Sequence, residues 1–247
     1  MKILLALITL FSLCGAWAQS PRTTSSGCEP PRGDIRPAPT QEAADGPAAD
    51  NAYIRTLGAW TQEGNRFAAP FTVPFSWANR QVLLRIDGAS AGYEVRIGGR
   101  TAAYVADGNA PAEINVTRMI REGRNELEIV VDDPAPTASL ESWKSDPAPA
   151  VGRAQVLSQP TLRIRDVLVK TWRSADDGDF TAEVAVAMKS EALNPRTSRM
   201  EYELLTPSGL RVVAAHQDLT LDMRREDTVR FLARIPADSL WSPEHPH

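Results

Sequence analysis

The chain has 247 residues and a formal net charge of −4, and 43% of its residues are hydrophobic. This length predicts one large or two medium domains, each with enough apolar residues for an ordinary core. The slightly acidic balance gives no electrostatic reason to expect nucleic acid or an anionic membrane surface as a partner.

The N-terminus has the features of a secretory signal peptide. Lys2 precedes the apolar run 3–13, and Ala16-x-Ala18 is typical of a cleavage site. We expect cleavage after Ala18, a signal peptide over 1–18, and a secreted or periplasmic mature protein. The apolar run is shorter than the roughly 20 residues that a transmembrane helix needs, so we expect no membrane span.

Residues 19–50 contain six prolines among small and polar residues and show no hydrophobic periodicity. This composition predicts a flexible, disordered linker. Cys28 is the only cysteine that remains after removal of the signal peptide, so no internal disulfide can form. We interpret it as an idle thiol on the linker, with intermolecular pairing or lipidation as the alternatives.

Residues 51–158 alternate in short apolar and polar runs that are typical of β-strands. The Gly98-Gly99 pair predicts a hairpin turn. Residues 132–150 are rich in Pro, Asp and Ser, and a connection of that length usually has a function or is disordered. Strands are predicted at 71–73, 82–86, 93–97, 100–105, 114–116, 126–131 and 154–157.

Residues 159–247 contain a second series of short strands, whose spacing is typical of a β-sandwich. The first of them, 162–171, is interrupted by Asp166, which predicts two strand pieces with a bend. The others are predicted at 180–188, 200–205, 210–214, 219–221 and 229–235.

Residues 67–100 resemble the first domain of the family-2 glycoside hydrolases, the β-galactosidase-type enzymes. That family has an aromatic residue, then F-x-V-P-x-x-W, a strand ending in D-G or E-G, and a V-W-V-N-G-K-like hairpin. The matching residues here are Phe67, Phe71, Val73, Pro74, Trp77, Asp87, Gly88, Val95 and Gly99. Gly98 stands where the family has asparagine.

Residues 110–131, 159–171 and 236–246 resemble later segments of the same family in the same order. The resemblance implies an all-β chain. It implies a jelly-roll, galactose-binding-like β-sandwich over 51–158, followed by an immunoglobulin-like β-sandwich over 159–247.

The resemblance implies no catalytic residue in this chain. In the family both catalytic carboxylates lie on a later (β/α)₈ barrel, and the alternation of strands and helices that such a barrel needs is missing from this sequence. Adjacent acidic residues at 132–133 and 176–177 are interpreted as solvated turn residues. His216, His245 and His247 are too sparse to predict a metal site, and we expect no metal and no cofactor.

A loop of the family's first domain enters the active site through an L-E-D-Q-D-M-W-R-like run. Leu140 and Glu141 match its start, but the D-Q-D-M-W part is absent. Trp143 could form an apolar platform for a sugar ring, and Asp146 could be a displaced remnant of the acidic pair. Glu141, Trp143 and Asp146 are therefore the candidate residues for weak carbohydrate binding, and an eroded loop without sugar contact is the alternative.

The family continues beyond its L-W-S-x-E-x-P motif into a last strand that this sequence lacks, so we expect an unpaired sheet edge. A partner could supply the strand, an earlier segment could cover the edge, or the chain could be a truncated product. We expect an exported, non-catalytic part of a β-galactosidase-like enzyme in carbohydrate metabolism or glycan binding. The alternatives are a glycosidase fragment active only with a separately encoded barrel and a structural, protein-binding module. Candidate partners are a glycan, a catalytic-barrel polypeptide and a strand-donating chain.

Overall fold

The computed structural model describes residues 24–31, 36–47, 50–132, 148–173, 179–206, 208–235 and 243. The described residues form one short α-helix, α1 (Gln41–Asp45), one 3-10 helix (Phe75–Trp77) and fourteen strands. Among them no helix has the length and apolarity that crossing a membrane requires. The predicted signal peptide lies outside these residues.

The first half of the chain folds into a sandwich of two antiparallel sheets, here called the first sandwich. The five-stranded sheet has the order β2-β3-β8-β5-β6, and the four-stranded sheet has the order β1-β9-β4-β7. The strands are β1 (Ile54–Leu57), β2 (Thr61–Glu63), β3 (Arg66–Val73), β4 (Gln81–Ile86), β5 (Tyr93–Ile97), β6 (Arg100–Val105), β7 (Ala112–Asn115), β8 (Gly123–Val131) and β9 (Ala154–Gln159).

Apolar alternation on neighbouring strands builds the core of the first sandwich. Val95 on β5 lies directly opposite Ile129 on β8, and Ile97 lies opposite Leu127. Residues opposite each other in an antiparallel pair point to the same face, so these side chains form continuous apolar rows. All four are at most 2% exposed.

Two motifs that the sequence analysis emphasised have structural roles. Gly98 and Gly99 have φ values of 53° and 77°, which a two-residue hairpin turn of type I′ requires. Trp77 ends a short 3-10 helix (Phe75–Trp77), is 2% exposed, and donates from Nε1 to the carbonyl oxygen of Ala52 at 3.1 Å. The Pro74-x-x-Trp77 pattern therefore anchors the core.

The second half of the chain forms a smaller β-sandwich, here called the second sandwich. Its three-stranded sheet has the order β10-β11-β14, and β12 and β13 form a two-stranded sheet. The rings of Tyr202 and Phe231 stack between the two layers at 5.2 Å. The strands are β10 (Leu162–Arg173), β11 (Phe180–Ser190), β12 (Arg196–Leu205), β13 (Arg211–Leu221) and β14 (Glu226–Ile235).

Two details of the second sandwich test the strand predictions. The register of β10 shifts between Ile164 and Asp166, but the prediction of two strand pieces is wrong, because β10 is continuous over Leu162–Arg173. The prediction of separate strands at 210–214 and 219–221 is wrong, because β13 is continuous through residues 215–218. These residues are exposed, so their ladder with β12 forms without the apolar alternation on which the prediction depended.

Part of the segment predicted as a flexible linker pairs with the first sandwich. Ser26 forms a bridge with Tyr104 on β6, and Glu29 forms one with Glu113 on β7. Cys28 lies between them, is half-buried, and packs against the core rather than hanging on a free linker. Burial raises the pKa of its thiol. The physical reason for this order is that β6 and β7 are edge strands whose backbone groups an extended segment can satisfy.

We expect truncation of a buried β8 residue to destabilise the first sandwich strongly. Ile129→Ala removes a side chain that is 0% exposed and should lower the free energy of unfolding by about 2–5 kcal/mol. Chemical denaturation followed by circular dichroism measures this change. Leu193→Ala is the control, because Leu193 is 73% exposed and its truncation should cost less than about 0.5 kcal/mol. Equal effects of the two variants would contradict the assigned core.

Candidate functional site

Four backbone segments converge at one end of the first sandwich and form what we call the loop cluster: residues 87–92, 106–111, 132 and 148–153. Asp132 N donates to the carbonyl oxygen of Gly92 at 2.7 Å, and Ser90 N donates to that of Ala150 at 2.9 Å. The described residues that flank the segment 133–147, Asp132 and Ala150, therefore lie at the same end of the sandwich.

The predicted carbohydrate-binding residues Glu141, Trp143 and Asp146 lie outside the described residues. The structure positions the residues on the two flanks of their segment. Asp132 stands at one flank, where Tyr104 Oη donates to its Oδ2 at 2.5 Å. At the other flank, Ala150 N donates to Ser90 Oγ at 3.0 Å.

Close backbone packing in the loop cluster explains its glycines. Gly88 has a φ of 116°, and a Cβ at this position would lie 2.6 Å from the carbonyl oxygen of Gly108. A Cβ on Gly108 would lie 2.1 Å from the carbonyl oxygen of Ala91. Only glycine permits this conformation and approach, so the Gly of the Asp87-Gly88 pair fixes two loops against each other.

Asp87 braces the loop cluster through two arginines. Arg85 Nε donates to its Oδ1 at 3.1 Å, and Arg153 Nε donates to its Oδ2 at 2.7 Å. Burial favours a higher pKa for this carboxyl, but the hydrogen bonds and charges of Arg153 and Arg85 outweigh it and hold the pKa below its usual range. Asp87 therefore remains ionised at neutral pH and links the ends of β4 and β9.

Tyr93 is the most deeply buried polar side chain near the loop cluster. It is 0% exposed, and burial strongly raises the pKa of its hydroxyl. Within the described part of the chain, its Oη has no hydrogen-bond partner. The ring therefore serves the core, where Tyr93 lies opposite Val105 and Val131.

The geometry of the loop cluster supports a structural role, in which its hydrogen bonds position the residues that flank the segment 133–147. Asp87 and Asp132 are both committed to hydrogen bonds within the fold. Over the described ranges, no group of three or more His, Cys, Asp or Glu side chains could hold a metal ion. Of the three histidines considered above, His216 lies on β13, where it is exposed.

Sequence reasoning missed the residues that hold the loop cluster together. The pairing of Tyr104 with Asp132 spans 28 positions of the sequence, and that of Asp87 with Arg153 spans 66. No local pattern indicates either contact. The sequence did hold one usable signal for the second contact. Asp87 directly follows β4 and Arg153 directly precedes β9, and these paired strands have Ile86 opposite Ala154, so both residues lie at the same side of the sheet.

Comparison with known proteins shows which enzymes the chain is similar to in sequence and in fold. No family model matches the chain. The β-galactosidases of Yersinia pestis and Yersinia pseudotuberculosis are 26% identical to it over 195 residues, covering 73% of the chain and 18% of each relative. Bacteroides uniformis β-glucuronidase 2 superposes with a TM-score of 0.61 at 19% identity, covering 81% of the chain and 24% of that structure. A glycosyl hydrolase family 2 member from Bacteroides cellulosilyticus gives 0.60 at 16%, covering 73% and 24%.

The chain is thus similar to part of the family-2 glycoside hydrolases, in sequence to curated β-galactosidases and in fold to solved members. It spans less than a fifth of the length of the curated relatives that it matches. The predicted resemblance and the predicted all-β fold class, a jelly-roll sandwich followed by an immunoglobulin-like sandwich, are confirmed.

We expect Asp87 to make stability pH-dependent in acid. Its lowered pKa means that its contribution is complete above the ordinary value of 3.8 and is lost as the pH falls through the lower folded value. Asp87→Asn should therefore reduce the free energy of unfolding by roughly 1 kcal/mol at pH 7. The difference from the unaltered chain should shrink as the pH falls below 3.8. Urea denaturation at a series of pH values measures it, and a difference that stays constant as the pH falls would contradict the assigned role.

Proposed function

We propose that the chain is the exported, non-catalytic β-sandwich part of a family-2-like glycoside hydrolase, and that it braces a catalytic-barrel polypeptide. The similarity to only 18–24% of much longer enzymes supports a scaffold role. The signal-peptide features of residues 1–18 support export to the periplasm or the medium. The observation that carries the proposal is an uncovered apolar face on the second sandwich.

This face lies on the inner side of the three-stranded sheet. Val167 and Val169 on β10 lie opposite Val186 and Val184 on β11, and Val184 lies opposite Phe231 on β14. Opposite residues share a face, so Val167 and Val169 point to the same side as the core residues Val186 and Phe231. Nevertheless, Val167 is 45% exposed and Val169 is 58% exposed.

The second layer ends before it reaches these valines. Tyr202 on β12 stacks on Phe231 of β14, so the two-stranded sheet covers the β14 side of the larger sheet. In the described part of the chain, β12 pairs only with β13, and β10 pairs only with β11. We infer that the free edge of β12 adjoins the space above Val167 and Val169.

A further strand at the free edge of β12 would satisfy both requirements. Its backbone would pair with the unpaired N–H and C=O groups of β12, and its inward side chains would cover Val167 and Val169. We propose that this strand comes from the barrel polypeptide. Under the alternative in which the chain is a glycosidase fragment, hydrolysis would require both this chain and the barrel polypeptide. Under the alternative of a purely structural, protein-binding module, the partner would contain no barrel.

We expect a charge on the inner face to abolish partner binding. In a pull-down from the native host, the unaltered chain should retain a polypeptide that mass spectrometry identifies as a glycoside hydrolase barrel. Val169→Asp should lose this partner, because the carboxylate would be buried beneath the docked strand. Leu232→Asp is the matched control, since Leu232 lies on the outer face of the same sheet and is 65% exposed.

Two results would contradict the scaffold proposal. Equal binding by Val169→Asp and Leu232→Asp would show that the inner face is not the docking surface. Hydrolysis of a nitrophenyl galactoside by the purified chain alone would show that it carries its own reaction centre.

A second proposed role is weak glycan contact from the segment 133–147. The attachment of both flanks to the loop cluster supports it, because a fixed base limits the positions that Glu141, Trp143 and Asp146 can occupy. The ring of Trp143 would stack on a sugar, and the two carboxylates would accept hydrogen bonds from its hydroxyls.

We expect the unaltered chain to bind a galactoside with millimolar affinity at best. Trp143→Ala should remove this binding. Saturation-transfer NMR with methyl galactoside detects binding at this strength. Trp172→Ala is the matched control, because Trp172 is a tryptophan of the second sandwich that is 44% exposed. Binding that survives Trp143→Ala unchanged would exclude this segment as the contact.

A further inference from the structure

The N-terminal arm, residues 24–31, closes the side of the first sandwich at which its two sheets end. Ser26 and Tyr104 exchange two backbone hydrogen bonds of 2.8 Å, and Glu29 and Glu113 exchange another two of 2.8 Å. Because β6 and β7 are the edge strands of different sheets, the arm spans the opening between the sheets. Gly27, with a φ of 71°, turns the chain between the two bridges, and a Cβ there would lie 2.5 Å from the carbonyl oxygen of Ala102.

The carboxylate of Glu29 reaches from the arm to the second sandwich. Arg165 Nη2 on β10 donates to its Oε2 at 3.1 Å, and Lys189 Nζ on β11 donates to its Oε1 at 3.0 Å. Arg165 also donates to the carbonyl oxygen of Pro30 at 3.1 Å and to Glu113 Oε2 at 3.2 Å. One arginine of the second sandwich thus holds both the arm and β7.

Burial makes these contacts matter for stability. The side chain of Arg165 is only 6% exposed, and that of Lys189 is 20% exposed. A buried cation that loses one of its carboxylates is destabilised, although Glu113 stays beside Arg165 and Glu191 beside Lys189. Arg163 and Glu191, 3.9 Å apart, complete the cluster, which contains three cations and three carboxylates. Release of the arm would leave three cations with two carboxylates.

We propose that the N-terminal arm is a releasable clasp that locks the second sandwich against the first through Glu29. The closed clasp adds the contacts of Glu29 to the direct Arg165–Glu113 pair between the sandwiches, and its opening removes these added contacts so that the sandwiches move more freely. This inference goes beyond the scaffold role and does not depend on it.

The charges around Glu29 predict that the clasp opens in acid. Arg165 and Lys189 face its carboxylate directly, Glu113 faces it from β7, and Arg163 and Glu191 lie in the next ring. Burial opposes ionisation, but the hydrogen bonds and charges of Lys189 and Arg165 outweigh it and hold the pKa of Glu29 below its usual range. Its stabilising contribution is therefore complete above the ordinary value of 4.5 and is lost as the pH falls through the lowered folded value.

Cys28 reports directly on the clasp, because it lies in the arm beside Glu29 and is half-buried. The experiment uses the full chain with Cys14→Ser, which leaves Cys28 as the single thiol. Its reaction with 4,4′-dithiodipyridine, which proceeds in acid as well as at neutral pH, measures arm release. Glu29→Gln should raise the rate about tenfold, because it removes the charge from the three hydrogen bonds that Arg165 and Lys189 donate to this carboxylate. Glu63→Gln, at an exposed position of β2, is the control and should leave it unchanged.

A double-mutant cycle and a core reporter separate clasp opening from general loosening. Lys189→Gln should also raise the rate, and combining it with Glu29→Gln should add little, because both remove the same contact. Amide hydrogen exchange on β8 should stay unchanged while Cys28 becomes reactive. Small-angle X-ray scattering of Glu29→Gln should show a larger radius of gyration than the control.

Four outcomes would overturn the clasp. The first two concern the thiol: Cys28 of the unaltered chain reacts at the rate of a free thiol, or Glu29→Gln and Glu63→Gln give equal reaction rates. The third is full additivity of the rate changes in the double-mutant cycle. The fourth is a rise of amide hydrogen exchange on β8 in parallel with the reactivity of Cys28. An unchanged radius of gyration in Glu29→Gln would overturn the coupling of the sandwiches.

Discussion

A β-sheet with one apolar face is stable only when another layer covers that face and when its edge strands are paired, covered or charged. The first sandwich meets both conditions. Its two sheets bury the rows that contain Val95 and Ile129, and the N-terminal arm pairs with the edges at β6 and β7. The second sandwich meets the first condition at β11 and β14, where Val186 and Phe231 are buried, and fails it at Val167 and Val169 of β10.

This contrast links the fold to the proposed scaffold role. A scaffold needs a rigid body and a surface that a partner completes, and the two sandwiches divide these requirements between them. The first buries a continuous core from Leu57 to Val156. The second leaves Val167 and Val169 exposed on its inner face, in line with core residues on β11 and β14. Docking of a strand there would complete a layer by the same packing that builds the first sandwich.

The sequence predicts the strands whose environment is simple and fails where contacts are long-range. Alternation located β5, because one of its faces is buried and the other is polar. It divided β13, whose exposed centre at 215–218 carries no alternation. It also missed the N-terminal arm, since proline-rich composition describes a free chain and gives no information about the edge with which that chain pairs. The candidate sugar contacts at Glu141, Trp143 and Asp146 remain predictions.

The buried arginines show what a closer physical reading of the sequence could have found. Arg163 and Arg165 alternate with the apolar residues Leu162 and Ile164 at the start of β10, and each is 7% exposed. Guanidinium groups are rarely buried without carboxylate partners, so such a pair predicts acidic residues from another segment. It cannot identify them, because Glu29 and Glu113 are separated from Arg165 by 136 and 52 positions. The fold supplies that information by bringing the arm, β7 and β10 together, and the buried charge then makes their separation energetically costly.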